Sequence, residues 1–322
     1  MRVAFIQLGR IGDMVLTTPL FHEFKKLFPD SELHVFAGPS NYSILANNPD
    51  VDRVFVIDKS PLGIIKTLVN LRLNKYDYWI DPKDHLSNES RIVAKIVRAT
   101  HKIGFNAYGL PPVFDIPIPE NEGDMHHVEI CLRTLNHFSY SMPQKIPKPR
   151  LFANHESVAY YNETIGKRDL KYMLFNISGS SEHKMWHDEY WADFFINVKP
   201  GLRKVICFAP SEKRRAETLA SKVGNFEIFY SKSIGDIVTL VNNSEYVVSP
   251  DTAIVHMAAA FNKPVFALYS GLDDFYTKFH PLSDIYTVVR ASSGDKGIKS
   301  IKPEDVASKY EEFLEQIRNA AN

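Results

Sequence analysis

Apolar and polar positions alternate along this chain in two registers. Short apolar runs at 3–8, 33–37, 53–57, 78–80 and 102–105 are separated by stretches whose apolar residues recur every three or four positions. The clearest such stretch, 14–28, sets Leu16, Leu20, Phe24 and Leu27 on one stripe, carries Lys25 and Lys26 near its end and meets Pro29 as a stop. Further helical patterns fall at 89–98 and 128–135. Strands and helices in alternation predict βα units and a mainly parallel sheet. A polar stretch with three prolines, 141–149, interrupts the pattern, which then restarts. Strands are expected at 173–177, 205–209, 227–230, 246–248 and 265–269, and helices at 189–198, 214–223, 235–242 and 252–261. A last amphipathic helix, 303–320, starts near Pro303 and aligns Val306, Tyr310, Phe313 and Ile317. The expected organisation is an N-terminal Rossmann-like domain, 1–155, and a second one, 156–302. The terminal helix, 303–322, is open to packing back on the first.

Composition narrows the picture only a little. A length of 322 residues suits two cores better than one. Thirty-eight basic residues balance 38 acidic ones, so no global field favours nucleic acid, and any basic surface is local. The longest apolar runs fall far short of the ~20 residues that cross a bilayer, and the first residues lack the order of a signal peptide. The expected location is cytoplasmic. Cys131 and Cys207 lie in apolar stretches of different domains, which reads as two buried thiols rather than a disulfide or metal site.

Three segments carry candidate chemistry. Gly9-Arg10-Ile11-Gly12-Asp13 follows the first strand; its glycines permit a tight turn, and Asp13 falls in the first turn of the next helix. A carboxylate there serves as a general base or, equally well on this segment alone, as a helix cap. Ser178-Gly179-Ser180-Ser181-Glu182-His183-Lys184 follows the strand at 173–177 and offers a phosphate-binding turn with a cation, although a solvated polar loop accounts for it too. Asp251-Thr252-Ala253-Ile254-Val255-His256 gathers an acid, a hydroxyl and an imidazole at one helix start, more than a cap requires. Glu212, just past a strand, suits a ribose diol and, equally well, a solvated loop acid. Lys59, Lys66, Arg72 and Lys75 flank an amphipathic stretch that reads as an acceptor-facing or membrane-facing patch, or as a solvated helix face. His126 and His127 are adjacent and point apart, which argues against a shared metal. Trp186 and Trp191 read as core. Zinc spacings, a P-loop and a G-x-S-x-G nucleophile are absent from the sequence.

Together these segments resemble glycosyltransferase family nine, the ADP-heptose:lipopolysaccharide heptosyltransferases, over most of the chain. Arg10-Ile11-Gly12-Asp13-Met14-Val15-Leu16-Thr17-Thr18-Pro19 looks like the family's opening signature, and Asn48-Pro49-Asp50-Val51-Asp52-Arg53-Val54 like its second landmark. Lys184-Met185-Trp186 sits where the family carries a lysine and tryptophan, and Asp251 through Ala258 resembles its D-T-G-x-x-H-x-A motif, with Ala253 in place of the glycine. The resemblance implies an α/β GT-B fold: two Rossmann-like domains with mainly parallel sheets facing a central cleft, the donor held mainly by the second. It implies an inverting, metal-independent enzyme with no cofactor, whose ADP-sugar donor is a substrate and whose acceptor is a lipid-linked saccharide of the lipopolysaccharide inner core.

By the same resemblance Asp13 is the base. Ser180, Ser181 and Lys184 hold the diphosphate, Glu212 the ribose, and Asp251, Thr252, Ala253 and His256 the phosphates and sugar. Gly12, Lys66 and Arg72 lie on the acceptor side, with transient contact at the inner face of the cytoplasmic membrane. The stretch Asp81-Pro82-Lys83-Asp84-His85 does not match well enough to identify an acceptor. Other readings are transfer of a different sugar to another surface glycan, a nicotinamide-dependent oxidoreductase, and a non-catalytic sugar-nucleotide-binding protein. The oxidoreductase is disfavoured because the first turn lacks the third glycine of the dinucleotide fingerprint.

Overall fold

Strand burial decides the layout. In a computed structural model of the chain, which describes all residues except 59, 121–122, 169, 199–200 and 322, the central strands are apolar on both faces, as a parallel sheet covered on both sides requires. The chain divides into two units, Met1–Phe152 and Ala153–Asn322.

The first unit runs β1 (Arg2–Gln7), α1 (Ile11–Leu27), β2 (Glu32–Ala37), β3 (Arg53–Val56), α2 (Pro61–Leu73), β4 (Lys75–Ile80), α3 (Asn88–Ile96), β5 (Arg98–Gly104), β6 (Ile116–Pro117) and α4 (His127–Leu132). Its sheet has the order β3-β2-β1-β4-β5-β6. The pairing is parallel throughout, with Val3 opposite Leu33 and Phe5 opposite Ile80. The direction in which successive strands are added reverses between β1 and β4, and α/β sheets bind ligands at that switch point, beyond the strand C-termini.

The second unit begins with α5 (His155–Glu163) and continues β7 (Tyr172–Asn176), α6 (Asp188–Asn197), β8 (Arg203–Cys207), α7 (Lys213–Val223), β9 (Glu227–Ile228), α8 (Ile234–Asn243), β10 (Tyr246–Pro250), α9 (Ala253–Ala260), β11 (Val265–Tyr269), α10 (Asp273–Phe279), β12 (Tyr286–Arg290) and α11 (Pro303–Ala321). Its sheet order, β12-β11-β10-β7-β8-β9, repeats the first topology, with the switch point between β7 and β10. Phe175, Phe194, Phe266, Trp186 and Trp191 fill the core on one face. The terminal helix packs here, on its own unit: Val306, Tyr310 and Phe313 are buried in that same core, where Phe266 and Tyr310 meet edge to face. The apolar stripe read at 303–320 thus finds its partner in the second sheet.

Several local expectations change. Arg98, read as helical, opens β5, and the pattern at 128–135 is α-helical only to Leu132 before a 3-10 turn, Arg133–Phe138. The amphipathic stretch between basic residues is α2. Helix α1 runs straight through Pro19, whose missing N–H leaves the Val15 carbonyl without its usual donor. The Thr18 hydroxyl supplies that bond at 2.7 Å and accepts one from the Arg150 N–H at 2.8 Å. The segment just after the proline-rich stretch is thereby tied to the first unit. Cys131 and Cys207 are free and buried, and burial pushes both thiols up to about 12, which removes them as nucleophiles.

Candidate active site

In the first unit the turn after β1 is held by two buried amides. Asn41 Nδ2 donates to the carbonyls of Gln7 and Gly9 at 3.1 and 2.8 Å, and its Oδ1 accepts the Gly38 N–H at 2.9 Å. Gln7 Oε1 accepts the Gly9 N–H, while its Nε2 donates to the Thr17 hydroxyl, both at 3.0 Å; that hydroxyl donates to the Asp13 carbonyl at 2.7 Å. Asp13 is half-buried, and its Oδ2 accepts the Arg10 N–H at 2.7 Å. The contact is that of a first-turn carboxylate satisfying an orphan donor. It requires a glycine at position 9, where a Cβ would lie 2.3 Å from that same oxygen. Gly12 occupies the second position of α1. Lys66 and Arg72 lie on α2 and are exposed, and Lys59 lies outside the described residues.

Asp81 enters the sequence reading only within the stretch 81–85, with no role of its own. It follows β4 at the switch point next to β1, and its N–H donates to the Ile103 carbonyl at 2.9 Å. Burial pushes its carboxyl up, opposed by the Lys83 charge.

In the second unit the β7 and β10 ends meet through one side chain. Asn176, 2% exposed, donates from Nδ2 to Ser249 Oγ at 2.9 Å, Thr252 Oγ1 at 3.1 Å and the Ser178 carbonyl at 3.1 Å, and accepts the Ser178 N–H at 3.1 Å. Thr252 is the N-cap of α9, its hydroxyl accepting the Ile254 N–H at 3.4 Å. Ala253 begins the helix and is not among the residues with positive φ, so a Cβ is accommodated there without backbone strain. Asp251 is buried, and Lys184 Nζ donates to its Oδ2 at 2.5 Å. An ammonium is thereby fixed at the start of α9, where the helix dipole already favours an anion. His256, one turn on, is buried, with its ring centroid 6.3 Å from that of Phe279.

The loop from 178 to 185 folds tightly on itself. A Cβ at Gly179 would come 2.3 Å from the Lys184 carbonyl oxygen, so only glycine fits that approach. Ser180 and Ser181 are exposed on this loop, and the Ser181 carbonyl accepts the Lys184 N–H at 3.0 Å. Arg215 clamps the loop's base, donating to the Ile177 carbonyl at 2.8 Å and the Trp186 carbonyl at 2.7 Å, and its Nη1 lies 3.4 Å from Glu212 Oε2. Glu212 is therefore beside the loop, half-buried, at the start of α7. Trp186 and Trp191 are core. Sequence reading missed Asn176, Arg215 and the exposed Phe275, whose ring centroid lies 5.8 Å from Lys184 Nζ. Asn176 alone left a signal, a polar residue closing an apolar strand just before a glycine turn.

The second unit thus sets an ammonium, a hydroxyl cap and a helix N-terminus at the switch point of its sheet, where a sheet of this order binds ligands. The profile of Glycosyltransferase family 9 (heptosyltransferase) matches residues 64–310. Lipopolysaccharide heptosyltransferase 1 of Campylobacter coli is 22% identical over 98% of this chain and 99% of its own length. The protein of the same name from Escherichia coli (strain K12) is 25% identical over 85% and 89%. Among solved structures, the glycosyl transferase family 9 protein from Veillonella parvula DSM 2008 superposes with a TM-score of 0.84 over 98% of this chain and 97% of that one, at 17% identity. E. coli heptosyltransferase WaaC with ADP gives 0.78 over 98% and 100%, at 19% identity. Fold and sequence profile therefore lead to one assignment: this chain is a glycosyltransferase of the two-unit GT-B class and belongs to glycosyltransferase family 9, the heptosyltransferase family of lipopolysaccharide biosynthesis.

Proposed function

We propose that this chain transfers a heptose from ADP-heptose to an inner-core saccharide of lipopolysaccharide, with inversion and without a metal. The observation that carries the reading is the Lys184 ammonium held by Asp251 at the N-terminus of α9, beside the Gly179 loop. Those groups suit a diphosphate, and a relative of the same fold is described with ADP.

In the reaction an acceptor hydroxyl attacks the anomeric carbon, the bond to the diphosphate oxygen breaks, and ADP leaves with the electron pair. Lys184, the positive end of the α9 dipole and the Ser180 and Ser181 hydroxyls stabilise the charge gathering on the departing diphosphate. This set supplies the electrostatic help that a divalent ion gives elsewhere. Glu212 accepts hydrogen bonds from the ribose, and His256 meets the phosphates or sugar. Asp13 removes the hydroxyl proton as the new bond forms, using the carboxylate oxygen that does not cap Arg10. Gly12 leaves room for the acceptor, which is lipid-linked. The enzyme works from the cytoplasm on the inner membrane face; among the described residues no helix is long and apolar enough to cross a membrane.

Calorimetry with ADP, UDP, GDP and NAD tests the donor class. Binding of ADP in preference to the others, unchanged by EDTA, is expected. Binding of NAD without ADP would replace this reading with a nicotinamide-dependent one.

A further inference from the structure

Surface helices of globular proteins ordinarily have one apolar face, and α2 has two. Its inner stripe is narrow: Gly63, Thr67 and Leu71 are buried. Gly63 sits so close that a Cβ there would lie 2.6 Å from the Asp58 Cβ. On the opposite side Leu62 is 71% exposed, Ile65 57%, Val69 45% and Leu73 77%. At 3.6 residues per turn these four fall within an arc of about 80°. Lys66 and Arg72 lie at its two margins, both exposed. From 59 to 76 the sequence holds four cations and no acid. Arg98 adds another cation at the C-terminal end of α2, where its Nη1 donates to the Arg72 carbonyl at 3.2 Å. The acid at the other end, Asp58, accepts bonds from the Ser60 N–H and hydroxyl at 3.0 and 2.7 Å.

A contiguous apolar stripe in water marks a contact surface, and charge separates its occupants. A second copy meeting α2 face to face would set Lys66 and Arg72 against the same cations, with no acid on the helix to receive them. An anionic lipid surface satisfies both features. Acyl chains take the leucine, isoleucine and valine side chains, while the ammonium and guanidinium groups reach out to phosphates at the same depth.

We propose that α2 docks this chain on an anionic lipid bilayer, with Leu62, Ile65, Val69 and Leu73 entering the headgroup boundary and Lys66 and Arg72 meeting lipid phosphates. The inference stands on α2 itself and adds to the proposed acceptor chemistry the surface that meets the lipid.

Co-sedimentation of the full chain with vesicles tests it. Phosphatidylglycerol–phosphatidylcholine vesicles should bring down the native chain, and phosphatidylcholine alone far less. Ile65→Asp/Val69→Asp should weaken partitioning at least about tenfold with an unchanged melting temperature, since both positions face water. Lys66→Ala/Arg72→Ala should weaken it comparably at low salt and flatten its dependence on salt up to about 0.5 M. If the aspartate pair does not fold, Leu62→Ser/Leu73→Ser carries the same expectation. Absence of binding by the native chain, or binding equal in native and variant chains, overturns the proposal. So does a native dimer in analytical ultracentrifugation that Ile65→Asp/Val69→Asp converts to monomer, because the stripe then belongs to a second copy. Calorimetry with ADP on the same samples keeps this outcome separate from the donor assignment.

Discussion

At the scale of single residues, the turns of the second unit depend on buried polar side chains. Asn176 spends every hydrogen-bonding group on holding the Ser178 turn against Ser249 and Thr252. Asn176→Ala removes the bonds to the buried Ser178 N–H and carbonyl, at about 1–3 kcal/mol for each group left unsatisfied. ADP affinity in calorimetry is expected to fall tenfold or more, with a lowered melting temperature. Gly179→Ala acts differently: the new methyl must displace backbone at Lys184, moving the ammonium with it. ADP affinity should drop by a similar factor and the urea midpoint should fall, and an unchanged affinity would show that the loop yields without consequence. The places of Asp13, Asp251 and Lys184, each in the connection that follows a strand of its sheet, were legible in the sequence because apolar runs mark the strands and short polar patterns mark the turns after them. Asn176 and Arg215 were not. The Ser249 and Thr252 partners of Asn176 lie 73 and 76 residues away, and the Arg215 carbonyls 38 and 29. No local pattern encodes such pairings.

At the scale of elements, α1 shows how a sequence rule gives way to a tertiary bond. A proline inside a helix removes a backbone donor, yet Thr18 donates to the carbonyl that Pro19 strands, and the Arg150 N–H donates to Thr18. Thr18→Val keeps the shape and removes the relay, leaving a buried carbonyl and an N–H without partners. A loss of about 2–4 kcal/mol in urea unfolding is expected, read as a lower midpoint with an unchanged slope; a loss below about 0.5 kcal/mol would mean that the helix needs no such bond. The central strands were legible from apolar runs alone, because a parallel strand covered on both faces needs nothing else. Helix α2 was legible only as an amphipathic stretch. Its inner contact is made by Gly63, Thr67 and Leu71, a stripe too small to show in a hydrophobic pattern, while the larger residues face outward.

At the scale of the whole molecule, two units of the same strand order each present a polar constellation at the switch point of their sheet. Stability should carry a mark of the first sheet. His34 is buried between Tyr76 and Glu32, and burial lowers its pKa despite the carboxylate beside it. A histidine with a depressed folded pKa binds its proton later than the unfolded chain does. Stability should therefore be full above about pH 6.5 and decline as pH falls through the unfolded value toward the folded one. Between about pH 7.5 and 5.5 the urea midpoint should fall in the native chain and fall less in His34→Gln, and equal declines would remove His34 as the cause. The central claim, base-assisted transfer from a nucleotide sugar, is met most directly by the rate of ADP release from ADP-heptose on a panel of truncated lipopolysaccharide cores, native chain against Asp13→Asn. Asparagine keeps the shape and still accepts the Arg10 N–H through its Oδ1, losing only the first-turn charge, about 0.3–1 kcal/mol, but it takes no proton at neutral pH. General-base help is worth ~10²–10⁴-fold, so the account predicts release at least about a hundredfold slower, with ADP affinity and melting temperature unchanged; near-native turnover by Asp13→Asn would contradict it, leaving Asp13 as a cap.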